Sequence, residues 1–458
     1  MGRINDCPLC LEKQREIDRL KEEVVLLKQR LLYRDRKEKE GFFGSSTPSS
    51  QQPVKANTED AKKPRGAKVG HRGFGRKGFS VSDADRVERV EAIMGEVCPI
   101  CGGLLEDKGD DSRSVLDIHP VKAERVVYLQ KKNWCRVCGR TFRGEIPGVL
   151  PRNLYSNQLM ATATTMHYVH GIPLGRVCEQ LGVGDGSLVE IFHRMARLFS
   201  GVVPKLIEQY RQAPVKHADE TGWRTDGKNG YAWLFGTLKI SLFLFKKTRS
   251  SSVPRAIFGT ERLPGTLVVD RYNGYNKMPC DIQYCYSHLL REVEDLDKEF
   301  ADQAEIKAFV STVAPLLALA MGLRGQPISD AQFLLKASEL KAQIKAAMEA
   351  PAQHMGIRRI QDIFTEHEGR LYHWADNRQV PADNNLAERD LRPTVIARKV
   401  SFGSQSDAGA NTRSILMTVV HTLRKRGEDV AARLKYALDE LAKDMSKDPF
   451  LLLFPQPP

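Results

Sequence analysis

The chain has 458 residues, 41% of them hydrophobic, enough for two to four domains with one substantial buried core and several small ones. Its net charge of +13 favours a polyanionic partner such as nucleic acid. The first residues lack the apolar core of a signal peptide. The longest uncharged stretch, 308–323, is shorter than the about 20 residues of a membrane span. We therefore expect an intracellular protein in a reducing compartment, with 308–323 as a buried helix and no membrane segment.

The first predicted element is a charged helix within residues 1–40. Its apolar residues recur at spacings of 3 and 4, the pattern of a coiled-coil seam, although only about two heptads carry it. The seam residues are Ile17, Leu20, Val24, Leu27 and Leu31. Self-association and an ordinary amphipathic helix both remain open. Cys7 and Cys10 precede this helix without a second pair nearby, so we interpret them as free thiols.

Residues 41–80 are predicted to form a flexible basic arm. The segment is rich in Ser, Pro, Gly and Lys, has almost no apolar periodicity, and alternates glycines with bases. The bases are Lys62, Lys63, Arg65, Lys68, Arg72, Arg76 and Lys77. Such an arm can follow a DNA groove while its side chains neutralise phosphates. A solvated linker is the alternative.

Residues 81–150 contain a predicted zinc ribbon. Two Cys-x-x-Cys motifs, Cys98 with Cys101 and Cys135 with Cys138, flank a segment rich in β-branched residues. Four thiolates suit a structural, tetrahedral Zn²⁺ that would fold a segment too small for its own core. An iron–sulfur centre and a redox dithiol are the competing interpretations.

Residues 151–210 are predicted to be helical. Two helices, 174–181 and 187–198, flank a Gly-containing turn, with Ser187 able to cap the second helix. This is the outline of a DNA-reading helix-turn-helix, in which Arg194 and Arg197 would contact DNA. A packed helical hairpin has the same pattern.

Residues 211–286 change to strands, predicted at 215–218, 231–238, 240–245, 266–269 and 282–286, with a crossover at about 253–262. Three successive strands followed by a crossover and further strands is the ribonuclease-H-like order. Asp219 and Asp270 end the first and fourth strands, which are neighbours in such a sheet. The two carboxylates would then lie together.

A helical insertion is predicted at 287–375, and the second part of the core at 376–445, followed by a tail at 446–458. Asn384 is a plausible cap for a helix with Glu388 in its first turns. Pro393 should kink or end that helix near Leu391. Further helix is predicted over 410–441.

Asp219, Asp270 and Glu388 together could hold two Mg²⁺ (or Mn²⁺) ions, which prefer hard oxygen ligands. Nearby bases would hold phosphates without base preference: Arg389, Arg392, Arg398 and Lys399. Spacing alone leaves this trio a hypothesis, because an Asp after a strand is often a turn former.

Rival acids lie next to two members of the trio. Glu220 competes with Asp219, but adjacent strand side chains face opposite ways, so only one should join Asp270. Asp390 lies about 200° around the helix from Glu388. His217 and His288 are conceivable bases, although packed histidines are commoner.

Three blocks of the chain resemble the DDE transposases of the insertion-sequence-66 type. The blocks are His217-Ala-Asp-Glu-Thr-Gly-Trp-Arg224, Val269-Asp-Arg-Tyr-Asn-Gly-Tyr275 with Cys285-Tyr-Ser-His-Leu-Leu-Arg291, and Asp383-Asn-Asn-Leu-Ala-Glu-Arg-Asp-Leu-Arg-Pro393 with Ala397-Arg-Lys399 and Ser406-Asp-Ala-Gly-Ala410. The coiled-coil helix, the basic arm and the zinc ribbon resemble that family as well. The likeness covers about residues 11–440, in order.

The resemblance implies that Asp219, Asp270 and Glu388 form a catalytic triad that cleaves transposon ends and joins the freed 3′ hydroxyls to target DNA. It implies an α+β multidomain protein with a ribonuclease-H-like core, acting on double-stranded DNA in the bacterial cytoplasm near the nucleoid. A homodimer or larger synaptic complex and small accessory proteins of the same element are expected partners.

Two departures from the family pattern bear on recognition of the element end. Val400-Ser401 stands where the family usually has Asn-Trp, and Tyr286 where it commonly has Trp. A Leu-Leu pair also occupies a position where a second Arg is common. A nuclease acting on branched DNA and a catalytically inactive DNA-binding regulator remain alternatives.

Overall fold

A computed structural model describes residues 8–39, 80–83, 87, 100–101, 123–137, 140–143 and 146–455. The chain divides into two compact units, one of residues 1–51 and 123–458 and the other of residues 52–122. In the second unit, a 3-10 turn covers Val81–Asp83. The predicted basic residues of the arm, from Lys62 to Lys77, lie outside the described residues.

The amino-terminal helix α1 (Pro8–Lys39) confirms the predicted charged helix. Its seam residues Ile17, Leu20, Val24 and Leu27 are exposed in this chain. Coiled-coil pairing therefore stays a prediction. Farther along, β1 (Lys132–Cys135) and β2 (Arg140–Arg143) pair as an antiparallel hairpin, with Lys132 opposite Arg143.

Four helices follow the hairpin: α2 (Asn157–Tyr168), α3 (Leu174–Leu181), α4 (Asp185–Phe199) and α5 (Val202–Arg211). α3 ends at Gly182, whose left-handed backbone (φ 62°) turns the chain into α4. The predicted cap at Ser187 is wrong. Gly184 is the N-cap residue and Asp185 supplies a carboxylate to the first turn, so Ser187 already lies inside the helix.

A five-stranded mixed sheet forms the centre of the larger unit. Its strands are β3 (Val215–Thr225), β4 (Lys228–Gly236), β5 (Ser241–Lys246), β6 (Thr266–Val269) and β7 (Asp281–Tyr284). Their order is β5-β4-β3-β6-β7, with β3, β4 and β5 antiparallel and β6 and β7 parallel to β3. Asp226 and Gly227, both with positive φ, form the two-residue turn that joins β3 to β4.

Ten helices complete the described part of the larger unit. They are α6 (Ser252–Phe258), α7 (Tyr286–Glu299), α8 (Ala304–Leu323), α9 (Asp330–Glu349), α10 (Met355–Glu366), α11 (His373–Asp376), α12 (Asn385–Ser401), α13 (Asp407–Lys425), α14 (Val430–Lys443) and α15 (Pro449–Leu453). Short 3-10 turns cover Asn273–Tyr275 and Glu368–Arg370. α12 packs on β3 and β4, and α13 packs on β5. The helices α7 to α10 match the predicted helical stretch between the sheet and the third acid.

The helix α12 runs through Pro393 to Ser401, so the predicted end near Leu391 is wrong. Proline removes one backbone donor, which leaves the carbonyl of Arg389 without its helical partner. Arg389 is exposed, and water can satisfy that carbonyl. Burial of Leu391 and Thr394 against the sheet side stabilises the continuous helix.

Among the described residues, α8 is long and apolar enough to cross a membrane by length and composition alone. Ile306, Val313 and Leu317 are buried, and the helix packs between α7 and α9. Its outer face carries exposed Ser311 and Thr312. The expectation of a buried helix therefore holds for one face of α8 only, because Leu319 on the same helix is 54% exposed.

Candidate active site

The first two acids of the predicted trio lie just beyond the paired segment of two adjacent parallel strands. β3 pairs with β6 from Val215 to His217, and this pairing stops two residues before Asp219. β6 ends at Val269, so Asp270 is the first residue beyond it. The ends of parallel strands meet at one edge of a sheet, where ligand sites commonly form. The sheet therefore places Asp219 and Asp270 at one edge, as predicted.

Asp219 does not end its strand, contrary to the prediction that the strand stops at 218. β3 continues to Thr225 because its other neighbour, β4, pairs with it as far as the Thr225–Lys228 register. Beyond His217, β3 is therefore paired with β4 but no longer with β6. Asp219 occupies the one-sided segment, where a side chain can face an open cleft without leaving the sheet.

The third acid, Glu388, lies in the first turn of α12, as predicted. Asn384 is the N-cap residue, but its side chain makes no capping hydrogen bond. Its Oδ1 lies 2.9 Å from Nδ1 of His217, and its Nδ2 donates to the carbonyl oxygen of Ala218 at 2.9 Å. Asn384 therefore ties the start of α12 to β3 beside Asp219.

His217 is a packed residue of this connection. Burial, the largest effect, lowers the pKa of His217 to about 4, against the raising effect of its hydrogen bond to Asn384. The neutral ring has one donor and one acceptor nitrogen, which suits a structural hydrogen bond. Sequence analysis identified Asn384 only as a cap. Its bond to a residue 167 positions away exists only in the folded chain.

The site concentrates negative charge around Asp219. Burial raises the pKa of the Asp219 carboxyl well above its usual range, and the negative charges of Glu220, Asp270 and Glu388 raise it further. The backbone N–H of Glu220 donates to Oδ1 of Asp219 at 2.8 Å, and this hydrogen bond lowers the pKa of Asp219. The folded chain thus brings four carboxylates close enough to oppose ionisation of one of them.

Glu220 is held by its own set of donors. Arg249 donates to its Oε1, Tyr275 donates to its Oε2 at 2.5 Å, and the side chain is 2% exposed. Burial and then the charge of Asp270 raise the pKa of Glu220 to about 7, while Arg249 lowers it. Strand alternation gives Glu220 different hydrogen-bond partners from Asp219. The prediction that only one of the two joins Asp270 is wrong, because the charge of Asp270 raises the pKa of both carboxyls.

Asp270 and Glu388 also accept hydrogen bonds from the protein. Oδ1 of Asp270 accepts from the backbone N–H of Tyr272 at 3.0 Å, and Oε1 of Glu388 accepts from Arg291 at 3.1 Å. In the part of the chain that the structure describes, no three His, Cys, Asp or Glu side chains already form a metal-binding group. The donor set still fits Mg²⁺, because three hard carboxylates gather where their mutual repulsion leaves a cation favourable.

His288 lies next to this cluster on the first turn of α7. Burial lowers its pKa, whereas the charges of Asp270 and Glu388 raise it. Its Nδ1 is buried without a hydrogen-bond partner among the described residues. His288 and Arg291 are three residues apart on the predicted helix and so share a face. That spacing was the available signal for Arg291, which sequence analysis did not single out.

Six of the predicted DNA-contacting residues lie within the part of the chain that the structure describes. Arg194 donates to the carbonyl oxygen of Pro151, Arg197 pairs with Glu190, and Arg398 donates to Thr221 Oγ1 and the carbonyl of Gly222. Three other bases, Arg389, Arg392 and Lys399, are exposed along α12. The outer side of α12 therefore presents bases beside the acids.

Two of the four predicted zinc ligands lie among the described residues. Cys101 is exposed and Cys135, at the end of β1, is half-buried, and neither forms a disulfide. Cys98 and Cys138 lie outside the described residues. The zinc site remains a prediction at the level of individual ligands.

Comparison with known proteins identifies two matching family models. The model described as the transposase IS66 family matches residues 152–412, more than half of the chain. A second model, the zinc-finger binding domain of transposase IS66, matches residues 96–139 and so includes all four cysteines.

The chain is also similar to two proteins of Sinorhizobium fredii (strain NBRC 101917 / NGR234). The uncharacterized protein y4qI is 24% identical over 80% of this chain and 74% of its own length. The uncharacterized protein y4jD is 22% identical over 85% of this chain and 83% of its own length. The likeness therefore extends across most of this chain and most of each relative.

Proposed function

Because the chain belongs to the IS66 transposase family, we propose that it cleaves the ends of its element and joins the freed 3′ hydroxyls to target DNA at Asp219, Asp270 and Glu388. The family establishes a DDE-type transposase with a zinc-finger domain. The assignment of the three acids and of the reaction steps is our proposal.

The observation that carries this proposal is the convergence of the three acids from distant parts of the chain. They come from β3, the end of β6 and the first turn of α12, and their charges together raise the pKa of Asp219. Gathering like charges costs folding free energy, so such clusters are typical of functional sites. A divalent cation would offset that repulsion.

The sheet supports a ribonuclease-H-like core. Three antiparallel strands followed by two parallel strands in the order β5-β4-β3-β6-β7 match the arrangement expected from the sequence. In this assignment α6 forms the crossover between β5 and β6, and α7 to α10 form the helical insertion that precedes the third acid.

Bound Mg²⁺ or Mn²⁺ ions would activate the attacking hydroxyl and neutralise the leaving oxygen. Asp219, within β3, and Asp270, just after β6, would provide oxygen ligands, and Asn384 fixes the helix that carries Glu388. Arg389 and Arg392 lie one and four residues after Glu388 and can hold the flanking phosphates. Arg291 forms an ion pair with Glu388 and would release that carboxylate when its guanidinium contacts a DNA phosphate.

The remaining assignments complete the proposal. Zn²⁺ held by Cys98, Cys101, Cys135 and Cys138 would fold the zinc-finger domain, and the basic arm of residues 41–80 would follow the DNA backbone. Synapsis of two ends requires at least a dimer, and α1 offers an exposed seam for it. Accessory proteins of the same element are further candidate partners.

Strand transfer of a labelled element end, with Mg²⁺, tests the proposal directly. Glu388→Gln should abolish joined product while DNA binding persists, because only the ligand charge is removed. Glu440→Gln, which breaks an α14 pair with Lys443, is the matched control and should join normally. Equal joining by Glu388→Gln and wild type would exclude Glu388. Cleavage of branched DNA without joining would favour a nuclease, and DNA binding by a chain that holds no divalent metal and joins no ends would favour a regulator.

A further inference from the structure

The outer side of α12 carries two parallel rows of side chains, of which all but the half-buried Glu388 are exposed. Glu388, Arg392 and Lys399 follow one another at spacings of 4 and 7, which places them along one line of a helix. Beside this polar row, Ile396 and Val400 are four residues apart and 55% and 46% exposed. The polar row therefore begins at a proposed catalytic acid and runs beside an apolar row.

Phe402 extends the apolar row beyond the end of α12. Its side chain is 76% exposed, so its ring contributes little to the core. Its backbone is left-handed, with φ 59°, which is an unfavourable conformation for a bulky residue. Neither burial nor backbone preference explains an aromatic residue at this position, and strain of this kind is typical of functional sites.

The backbone around Phe402 is held rigidly. The N–H of Phe402 donates to the carbonyl of Arg398 at 2.9 Å. Ser404, two residues on, donates to the carbonyl of Arg224 and accepts from the N–H of Asp226, both at 2.9 Å. The ring thus projects into solvent from a fixed point, which lowers the entropy cost of binding a partner.

We propose that the rows of α12 form a docking surface for the duplex at the element end, with Phe402, Val400 and Ile396 contacting sugars and base edges in a groove. Arg392 and Lys399 follow the phosphate backbone. The inference rests on the proposed function, because it places the scissile phosphate at Glu388.

Charge and distance both favour duplex DNA as the occupant. The apolar row borders guanidinium and ammonium groups, and DNA is the partner class that the family establishes. Phe402 is 14 residues from Glu388, about 21 Å along a helix of 1.5 Å rise. That length corresponds to about six base pairs at 3.4 Å each. Apolar side chains inserted beside a basic row are typical of groove contacts that distort DNA.

Phe402→Gly separates DNA contact from stability. Glycine adopts a positive φ without strain, so the melting temperature of the full-length variant should equal or exceed that of wild type. Affinity for an element-end duplex, measured by fluorescence anisotropy in EDTA, should fall about tenfold, as for loss of an aromatic contact to DNA. Phe402→Trp should restore affinity. Leu335→Ala, which removes an exposed apolar side chain on α9, should bind as wild type does.

A 2-aminopurine probe about six base pairs from the cleavage site provides a second readout. Its fluorescence should change when wild type or Glu388→Gln binds, and should not change with Phe402→Gly. Glu388→Gln would lose strand transfer and keep this signal, so a failure of the proposed chemistry remains distinguishable. Unchanged affinity and signal with Phe402→Gly would overturn the inference. So would a loss of self-association in DNA-free ultracentrifugation with DNA affinity retained, which would identify a protein interface.

Discussion

Buried charge has different neighbours in the acid cluster and around Arg413. Around Asp219, several carboxylates oppose one another. Arg413 on α13 is 8% exposed and lies between aromatic rings, 5.2 Å from the centre of Tyr168 and 5.1 Å from that of Trp223. Its Nη2 donates to Nε2 of His167 at 3.1 Å. No carboxylate of the described residues forms an ion pair with it.

The difference indicates which region depends on a ligand. Burial lowers the pKa of Arg413, and the π faces of Tyr168 and Trp223 and the neutral His167 offset part of that cost within the protein itself. Among the described residues, Asp219 and Asp270 accept hydrogen bonds from backbone N–H groups, and Arg249, whose charge interacts with Asp270, forms its ion pair with Glu220. Charge that is offset in place is tolerated by the fold, whereas carboxylates that repel one another favour binding of a cation.

The largest expected effect separates activity from stability at Asp219. Asp219→Asn should lower strand transfer roughly 10³-fold or more, because a metal ligand contributes several kcal/mol to the transition state. The same change should raise the melting temperature, because it removes one of the repelling charges. Kinetics and thermal melting on one preparation test both. Asp281→Asn, which breaks an exposed pair with Arg262, is the control, and a large loss of stability in Asp219→Asn would contradict the comparison.

Arg413 should show the opposite behaviour. Arg413→Ala should reduce the free energy of unfolding by about 3 kcal/mol, since it leaves a cavity between two rings and removes the partner of His167. Arg413→Met keeps most of the volume without the charge and should cost about 1 kcal/mol or less. Denaturant titration measures both. If Met were as damaging as Ala, the positive charge itself would be required.

Two buried histidines, His167 on α2 and His421 on α13, should make the free energy of unfolding decrease as the pH falls. Burial, the largest effect in each case, lowers the pKa values of His167 and His421 to about 4 in the folded chain. The unfolded chain binds their protons near pH 6.5, so each contribution is present above that pH and decreases as the pH falls toward 4. From pH 7 to pH 5, each histidine should lower the free energy of unfolding by about 2 kcal/mol. His421→Leu should flatten the dependence, and an unchanged slope in that variant would contradict the assignment.

The smallest effect concerns the pair of Arg291 and Glu388. Both side chains are partly exposed, so the pair contributes less than about 1 kcal/mol. Arg291→Ala should therefore raise the affinity for Mn²⁺ about threefold by releasing Glu388, as measured by calorimetry without DNA. Weaker Mn²⁺ binding in this variant would mean instead that Arg291 orders the ligand.

Several strands and helices were predictable because their sequence patterns are local. The prediction of 266–269 coincides with β6, and the prediction of 174–181 coincides with α3. The length of β3 was not predictable, because its last residues are strand only through pairing with β4. The course of α12 through Pro393 also depends on packing, which outweighs the local preference.

The same distinction applies to the site. Glu388 was placed correctly in the first turn of its helix, since capping and spacing are local properties. The bond of Asn384 to His217 and the pairing of Glu388 with Arg291 join residues 167 and 97 positions apart. No periodicity relates such residues, so their partners could not be derived from spacing.

The sequence by itself determined the residue types and their order: three acids on separate elements, paired cysteines, and bases that follow Glu388 along one helix. Residue chemistry and local periodicity suffice for these. Tertiary structure decided which charges are compensated, because the parallel pairing of β3 with β6 and the packing of α12 on β3 bring distant carboxylates together. Electrostatic energy depends on distance and burial, and both exist only after the chain has folded.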